Sequence, residues 1–163
     1  MDASARPLAE LRDVSQYEAF VVGSAVHDQQ WLTVAHDFLD RFGPALARHP
    51  VWLFSVSSVG ETTSFFGPKL SKLIRRTRHA DPVVAAASKA LVPREHHHFA
   101  GALQRGDWSR LGDFLLKLCG GNVGDQRDWQ DVDAWADGIA RTIQKQYRAR
   151  ERRRLHLMVR GKP

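Results

Sequence analysis

The stretch Tyr17–Val26 constrains the fold more than any other part of this chain. It reads Tyr-Glu-Ala-Phe-Val-Val-Gly-Ser-Ala-Val, and its residues 19–22 are apolar without alternation. A strand with this pattern is expected to be covered on both faces, which is typical of a parallel sheet that lies between helices. The stretch therefore predicts an α/β fold in which this segment is the main strand.

Small residues follow this strand and indicate a ligand site. We expect Gly23, Ser24 and Ala25 to form a loop at its carboxyl end, where open α/β sheets bind ligands. A second apolar run, Val51–Val56, contains or precedes further small residues, namely Ser55, Ser57, Ser58 and Gly60. Loops at the same edge of a parallel sheet would form two walls of one crevice. The alternative is that the first loop is only a tight turn between a strand and a helix.

The remaining periodic segments predict one more strand and several helices. The third strand is expected over 96–102, and helices near 29–42, 82–91, 108–118 and 130–147. Asp28 is placed to cap the first of these helices. Lys69–Arg78 is short and basic, and it is a further helical candidate.

Charge divides the chain into two parts. Seven of the 24 lysines and arginines lie in residues 148–163 with a single acid, so this segment carries the whole net charge of +6. We interpret residues 1–147 as one domain and residues 148–163 as a basic tail that could attract an anionic membrane surface. The chain has one cysteine and no apolar run of membrane-spanning length, which predicts a cytoplasmic protein, peripheral to the membrane at most.

Two motifs suggest chemistry only weakly. Successive residues on a strand point to opposite faces, so at most two of His96, His97 and His98 could share a metal ion, and we predict no metal site. The basic tail lacks interleaved aromatic residues and any known nucleic-acid motif, so nucleic acid is the least favoured partner.

Several short segments, in this order along the chain, resemble actinobacterial flavodoxin-domain proteins, a group similar to the menaquinone-dependent protoporphyrinogen dehydrogenases. They are Gly23–Val26 followed by Trp31, Val51–Ser55, Arg94–His96 leading to Phe99–Gly101, and Asp125–Trp129. The resemblance covers roughly residues 5–145 and implies a flavodoxin-like sheet with FMN at the strand ends. It also implies flavin-ring contacts from Ser24, Ala25, Val26 and His27 on the first loop, and from Ser55, Val56, Ser57, Ser58 and Gly60 on the second.

The chain departs from this family before Tyr17. The family begins with a strand and a Ser/Thr-rich loop that wraps the FMN phosphate, and residues 1–16 match neither. We therefore expect an N-terminally incomplete flavodoxin-like fold that binds FMN weakly or not at all, unless Arg75 and Arg76 replace the phosphate loop. The unpaired edge of the main strand would also allow a homo-oligomer to form.

Two functions follow from the resemblance. The first is an FMN-dependent electron-transfer oxidoreductase that acts on a porphyrinogen or a quinone. The alternative is a binding or scaffold module that has kept the fold and lost FMN.

Overall fold

The computed structural model describes residues 2–78, 82–104, 117, 121 and 124–160. The chain forms two compact units, Met1–Asp128 and Trp129–Pro163. The first unit contains a short 3-10 helix, Leu8–Glu10, and the strands β1 Phe20–His27, β2 Gln30–Trp31, β3 Val51–Ser57, β4 Glu95–Ala100, β5 Ala102–Leu103 and β6 Gly124–Asp125. Its described helices are α1 Thr33–Leu46, α2 Pro68–Thr77 and α3 Pro82–Leu91, and the second unit contains the long helix α4, Trp129–Arg160.

The main sheet has four strands in the order β2-β1-β3-β4. β1, β3 and β4 are parallel, with Val22 opposite Leu53 and Leu53 opposite His96, so the predicted parallel arrangement is confirmed. β2 is antiparallel to β1, which makes the sheet mixed. β5 and β6 form a separate antiparallel pair. The fold class is therefore α/β, as predicted.

One face of the sheet carries the apolar core. Buried side chains of β1, β3, α1 and α3 form a single cluster that includes Phe20, Val22, Phe38, Leu39, Leu46, Val51, Leu53, Val84 and Leu91. Val21, between two of these, is 48% exposed. The expectation that β1 is covered on both faces is therefore wrong at Val21, because neighbouring side chains of a strand point to opposite faces and the face of Val21 is left exposed at this strand. On the same face of β3, Trp52 is buried.

A tight hairpin stands where the first helix was predicted to begin. Asp28 and Gln29 connect β1 to β2, and their φ angles are 48° and 65°. Two residues with positive φ form the type I′ turn that suits a two-residue hairpin. Asp28 is therefore not an N-cap. The helix begins at Thr33 after Leu32, which makes no side-chain capping bond.

The other helices agree with prediction more closely. α3 has the predicted bounds, and α2 lies where a basic helix was considered. α4 is continuous from Trp129 to Arg160, so the predicted boundary after residue 147 lies inside a helix. Apart from Lys117, the predicted helix over 108–118 lies outside the described residues. Within the described part of the chain, no helix combines the length and apolarity needed to cross a membrane.

The outer edge of β1 is only partly paired. β2 pairs with Val26 and His27, and from Phe20 to Ala25 no described strand lies on that side. Such an edge presents backbone donors and acceptors to any strand that approaches it. Pairing of this edge with a second copy of the chain stays a prediction.

Candidate functional site

A cleft of about 780 Å³ opens in the first unit, at the carboxyl ends of β1, β3 and β4. Its walls come from the β1–β2 turn, the loop after β3, the last turn of α2 and residues 101–103. The volume is within the range of small-molecule sites, about 300–1,000 Å³. The position is the edge at which parallel α/β sheets bind ligands. The cleft is therefore the candidate site of the molecule.

The structure brings most of the predicted contact residues together in this cleft. Those that line it are Ala25, Val26, His27, Ser55, Val56, Ser57 and Ser58. Ser24 and Gly60 are not among the lining residues. The position of the cleft was therefore predictable from the sequence.

Ser24 and its neighbour Gly23 lie inside β1, not in a loop. The Ser24 hydroxyl donates to the Ala25 carbonyl at 2.8 Å and accepts from the Leu32 N–H at 3.1 Å. A Cβ on Gly23 would lie 2.2 Å from the Phe54 ring on the neighbouring strand. These small residues make room for protein neighbours and anchor the start of α1, which explains the pattern without a ligand.

Gly60 also serves a close contact within the protein. A Cβ at this position would lie 2.4 Å from the backbone nitrogen of Ala100 at the end of β4. The loop is held there by a bond of 2.8 Å from the Glu61 N–H to the His98 carbonyl. The absence of a side chain at Gly60 therefore lets the loop after β3 lie against β4, and the predicted ligand contact of Gly60 stays a prediction.

A buried hydroxyl stands at the base of the cleft. Ser55 is 2% exposed, and its oxygen accepts the indole N–H of Trp31 at 2.7 Å. The same oxygen lies 2.9 Å from Nε2 of His96. The indole can only donate, so the serine oxygen accepts from Trp31. Towards His96 the hydroxyl either donates to Nε2 or accepts from an Nε2–H through its second lone pair, according to the tautomer of the ring.

Two histidines of β4 form an aromatic surface in the cleft, named here the histidine pair, His96 and His98. Their rings stack with centroids 4.5 Å apart and planes 22° apart, and the Trp31 ring meets His96 edge-on at 6.0 Å. His97 lies on the other face against Phe99 at 4.6 Å. The predicted alternation of side chains between the two faces of β4 is confirmed, but the sequence did not indicate a function for the histidine pair. The signal was His-x-His on a strand that ends at the ligand edge.

Burial keeps the histidine pair neutral at pH 7. Burial lowers the pKa of His98 to about 3, with the nearby Arg78 cation and then His96 and His97 acting in the same direction. Burial also lowers the pKa of His96, as does Arg78, whereas Glu61 opposes the shift. The pair therefore presents uncharged aromatic rings, and not cations, to the cleft.

Arg78 brings a guanidinium to the cleft. It bonds the Glu61 carboxylate at 3.1 Å and the Val59 carbonyl at 2.7 Å. Arg75, which was considered as a phosphate partner, donates to the Gly60 carbonyl at 2.7 Å and to the Thr63 carbonyl at 3.3 Å. Arg75 therefore fixes the loop after β3, and its expected role with phosphate is not supported. No sequence pattern distinguished Arg78, which follows α2, from the basic residues of that helix.

Among the described residues, no group of three or more His, Cys, Asp or Glu side chains is placed to hold a metal ion.

Comparison with known proteins gives no identity, because no protein family, curated protein or solved structure matches this chain. Its function must be argued from the cleft.

Proposed function

We propose that the cleft binds the planar ring of a flavin and that the chain is a flavodoxin-like electron-transfer protein. One observation carries the proposal: a cleft of about 780 Å³ lies at the carboxyl ends of three parallel strands and is lined by Trp31 and the histidine pair. The α/β fold with its parallel strands is compatible with a flavodoxin-like architecture. A quinone or porphyrinogen would be the redox partner of such a protein.

The residues of the cleft fit the flavin ring. Neutral aromatic side chains stack on a heteroaromatic ring without the cost of removing a charge from water. Asp28 and Gln29 lie in the turn at one wall of the cleft and provide polar groups for the ring edge. A bound flavin would supply the electron-accepting chemistry, while this chain binds the ring, orients it and limits its access to water.

The cleft fits the phosphate of FMN less well. A phosphate dianion is usually held by several convergent N–H and hydroxyl donors. Among the described lining residues Arg78 is the one guanidinium, and it already bonds Glu61 and the Val59 carbonyl. We infer that the ring contributes most of the affinity and the phosphate little. FMN and riboflavin, which lacks the phosphate, should then bind with similar affinity.

A second candidate is a binding or scaffold module that has kept the fold and lost FMN. It is favoured by the internal use of predicted contact residues. The hydroxyls of Ser24 and Ser55 bond within the protein, and Gly60 packs on β4. The two candidates therefore differ in whether the cleft binds a flavin.

Fluorescence titration of riboflavin and FMN with the full chain tests the proposal. We expect saturable quenching, with dissociation constants for the two ligands within about threefold, because stacked rings carry the affinity. Replacing His98 by alanine should weaken binding about two- to tenfold, the worth of one aromatic stacking contact. His97→Ala removes the same side chain from the other face of β4 and is the matched control.

Absence of quenching, or equal weakening by both substitutions, would overturn flavin binding in the cleft. Electron transfer needs a separate measurement. The rate at which a soluble quinone reoxidises reduced riboflavin should change when the protein is added at saturation. An unchanged rate together with intact binding would contradict the role in electron transfer, whereas absence of flavin binding would favour the module that has lost FMN.

A further inference from the structure

The basic part of α4 is a continuous, exposed helix rich in arginine. Residues 148–154 contain five arginines and one acid, Glu151, and every side chain in this range is exposed. The helix continues to Arg160. Arginine is the residue that best matches phosphate, because its planar guanidinium donates two parallel hydrogen bonds. The segment is therefore a helix whose exposed arginine side chains are suited to binding phosphate groups.

The arginines surround the helix instead of occupying one face. With about 3.6 residues per turn, Arg148 and Arg152 share one side, while Arg150 and Arg154 lie nearly opposite. A helix that lies on a membrane needs an apolar face opposite its cations. Residues 148–154 contain only one apolar residue, Ala149, and the apolar residues Leu155, Leu157, Met158 and Val159 follow the arginines along the helix axis. On a flat anionic surface, half of these arginines would lie on the side of the helix that faces away from the surface and would contact no phosphate. A groove with phosphates on both walls would use all of them.

We propose that residues 148–154 of α4 bind double-stranded DNA by lying in its major groove. The major groove of B-form DNA is roughly 12 Å wide and admits an α-helix, whose diameter is roughly 10–12 Å. From the sequence alone, nucleic acid is the least favoured partner, because the basic tail contains no known nucleic-acid motif. The structure adds that these arginines lie on one continuous helix, which extends to Arg160. This interaction is independent of the cleft.

Fluorescence anisotropy with the full chain tests the proposal on a 20-base-pair DNA duplex and on an RNA duplex of the same sequence. The variant carries Arg150→Gln, Arg152→Gln and Arg153→Gln, which keep good helix formers in the helix. We expect at least tenfold weaker binding at 50 mM salt. The slope of log affinity against log salt should be shallower by roughly 2.7, since each lost phosphate contact releases roughly 0.9 counterion.

A control variant on α2 removes the same number of charges. Lys69→Gln, Lys72→Gln and Arg76→Gln change exposed side chains and should alter affinity less than twofold. Circular dichroism checks that both variants fold, and lysine at the three α4 positions should retain most binding. The RNA duplex should bind less tightly than the DNA duplex, because the major groove of A-form RNA is deep and narrow.

Three results would each overturn the proposal. The first is no binding to the DNA duplex at 50 mM salt. The second is an equal loss of affinity in the α4 and α2 variants, which would reflect net charge alone. The third is binding to vesicles with about 30% phosphatidylserine that is as tight as binding to the duplexes.

Discussion

At the scale of single residues, the Ser55 hydroxyl connects the two aromatic parts of the cleft. It is buried and bonds both the Trp31 indole and His96. Ser55→Ala would leave the buried indole N–H of Trp31 and Nε2 of the half-buried His96 without this partner, which costs about 1–3 kcal/mol of the free energy of unfolding. Urea denaturation followed by circular dichroism measures the change.

Ser58→Ala is the control for that substitution. Ser58 also lines the cleft and is partly exposed, and surface substitutions of this kind usually change the free energy of unfolding by less than about 0.5 kcal/mol. Equal effects of the two substitutions would show that the bonds of Ser55 contribute nothing specific.

His98 should make stability depend on acid pH. In the folded protein burial and Arg78 hold its pKa at about 3, whereas an unfolded histidine binds a proton below about pH 6.5. Between these values the unfolded state binds more protons, so the free energy of unfolding falls as the pH is lowered. Besides Arg78, the groups that act on this ring are His96 and His97.

Replacing His98 by phenylalanine should flatten this dependence between about pH 6.5 and 4.5, because the ring is kept and the titrating group is removed. Denaturant unfolding at a series of pH values gives the slope. An unchanged slope in His98→Phe would mean that other groups cause the loss of stability in acid.

At the scale of elements, the glycines of β1 and of the loop after β3 are predicted to differ in tolerance. A Cβ on Gly60 would meet the backbone of Ala100, which cannot move without shifting β4, whereas a Cβ on Gly23 would meet the ring of Phe54. We expect Gly60→Ala to cost about 1–3 kcal/mol, the usual range for overpacking, and Gly23→Ala less. Thermal and urea unfolding of the two variants measures both costs, and the opposite order would contradict this account of the loop.

The sequence predicted the elements of the sheet better than its connections. Apolar runs such as Val51–Val56 identify buried strands whatever surrounds them. The β1–β2 hairpin was missed because Asp28 and Gln29 lack the glycine or asparagine that usually marks such a turn. The role of Gly23 depends on the strand register that brings Phe54 beside it, and no local pattern encodes that register.

At the scale of the whole molecule, the two units carry different surfaces. The first unit holds the cleft, whose histidine pair is neutral, and the second holds the exposed arginines of α4. The sequence predicted the edge of the sheet at which the cleft opens, because small and polar residues follow the apolar runs there. It could not predict the stacked histidines, since their contact depends on side-chain geometry within β4.

The central claim, that the cleft binds a flavin ring, can be tested by the NMR signal of the Trp31 indole N–H. This group bonds Ser55 at the base of the cleft, and a stacked ring nearby would shift its resonance through ring currents. We expect riboflavin to shift the Trp31 signal saturably, while Trp52, which does not line the cleft, keeps its position. An unmoved Trp31 signal at a riboflavin concentration that saturates any fluorescence change would contradict the claim.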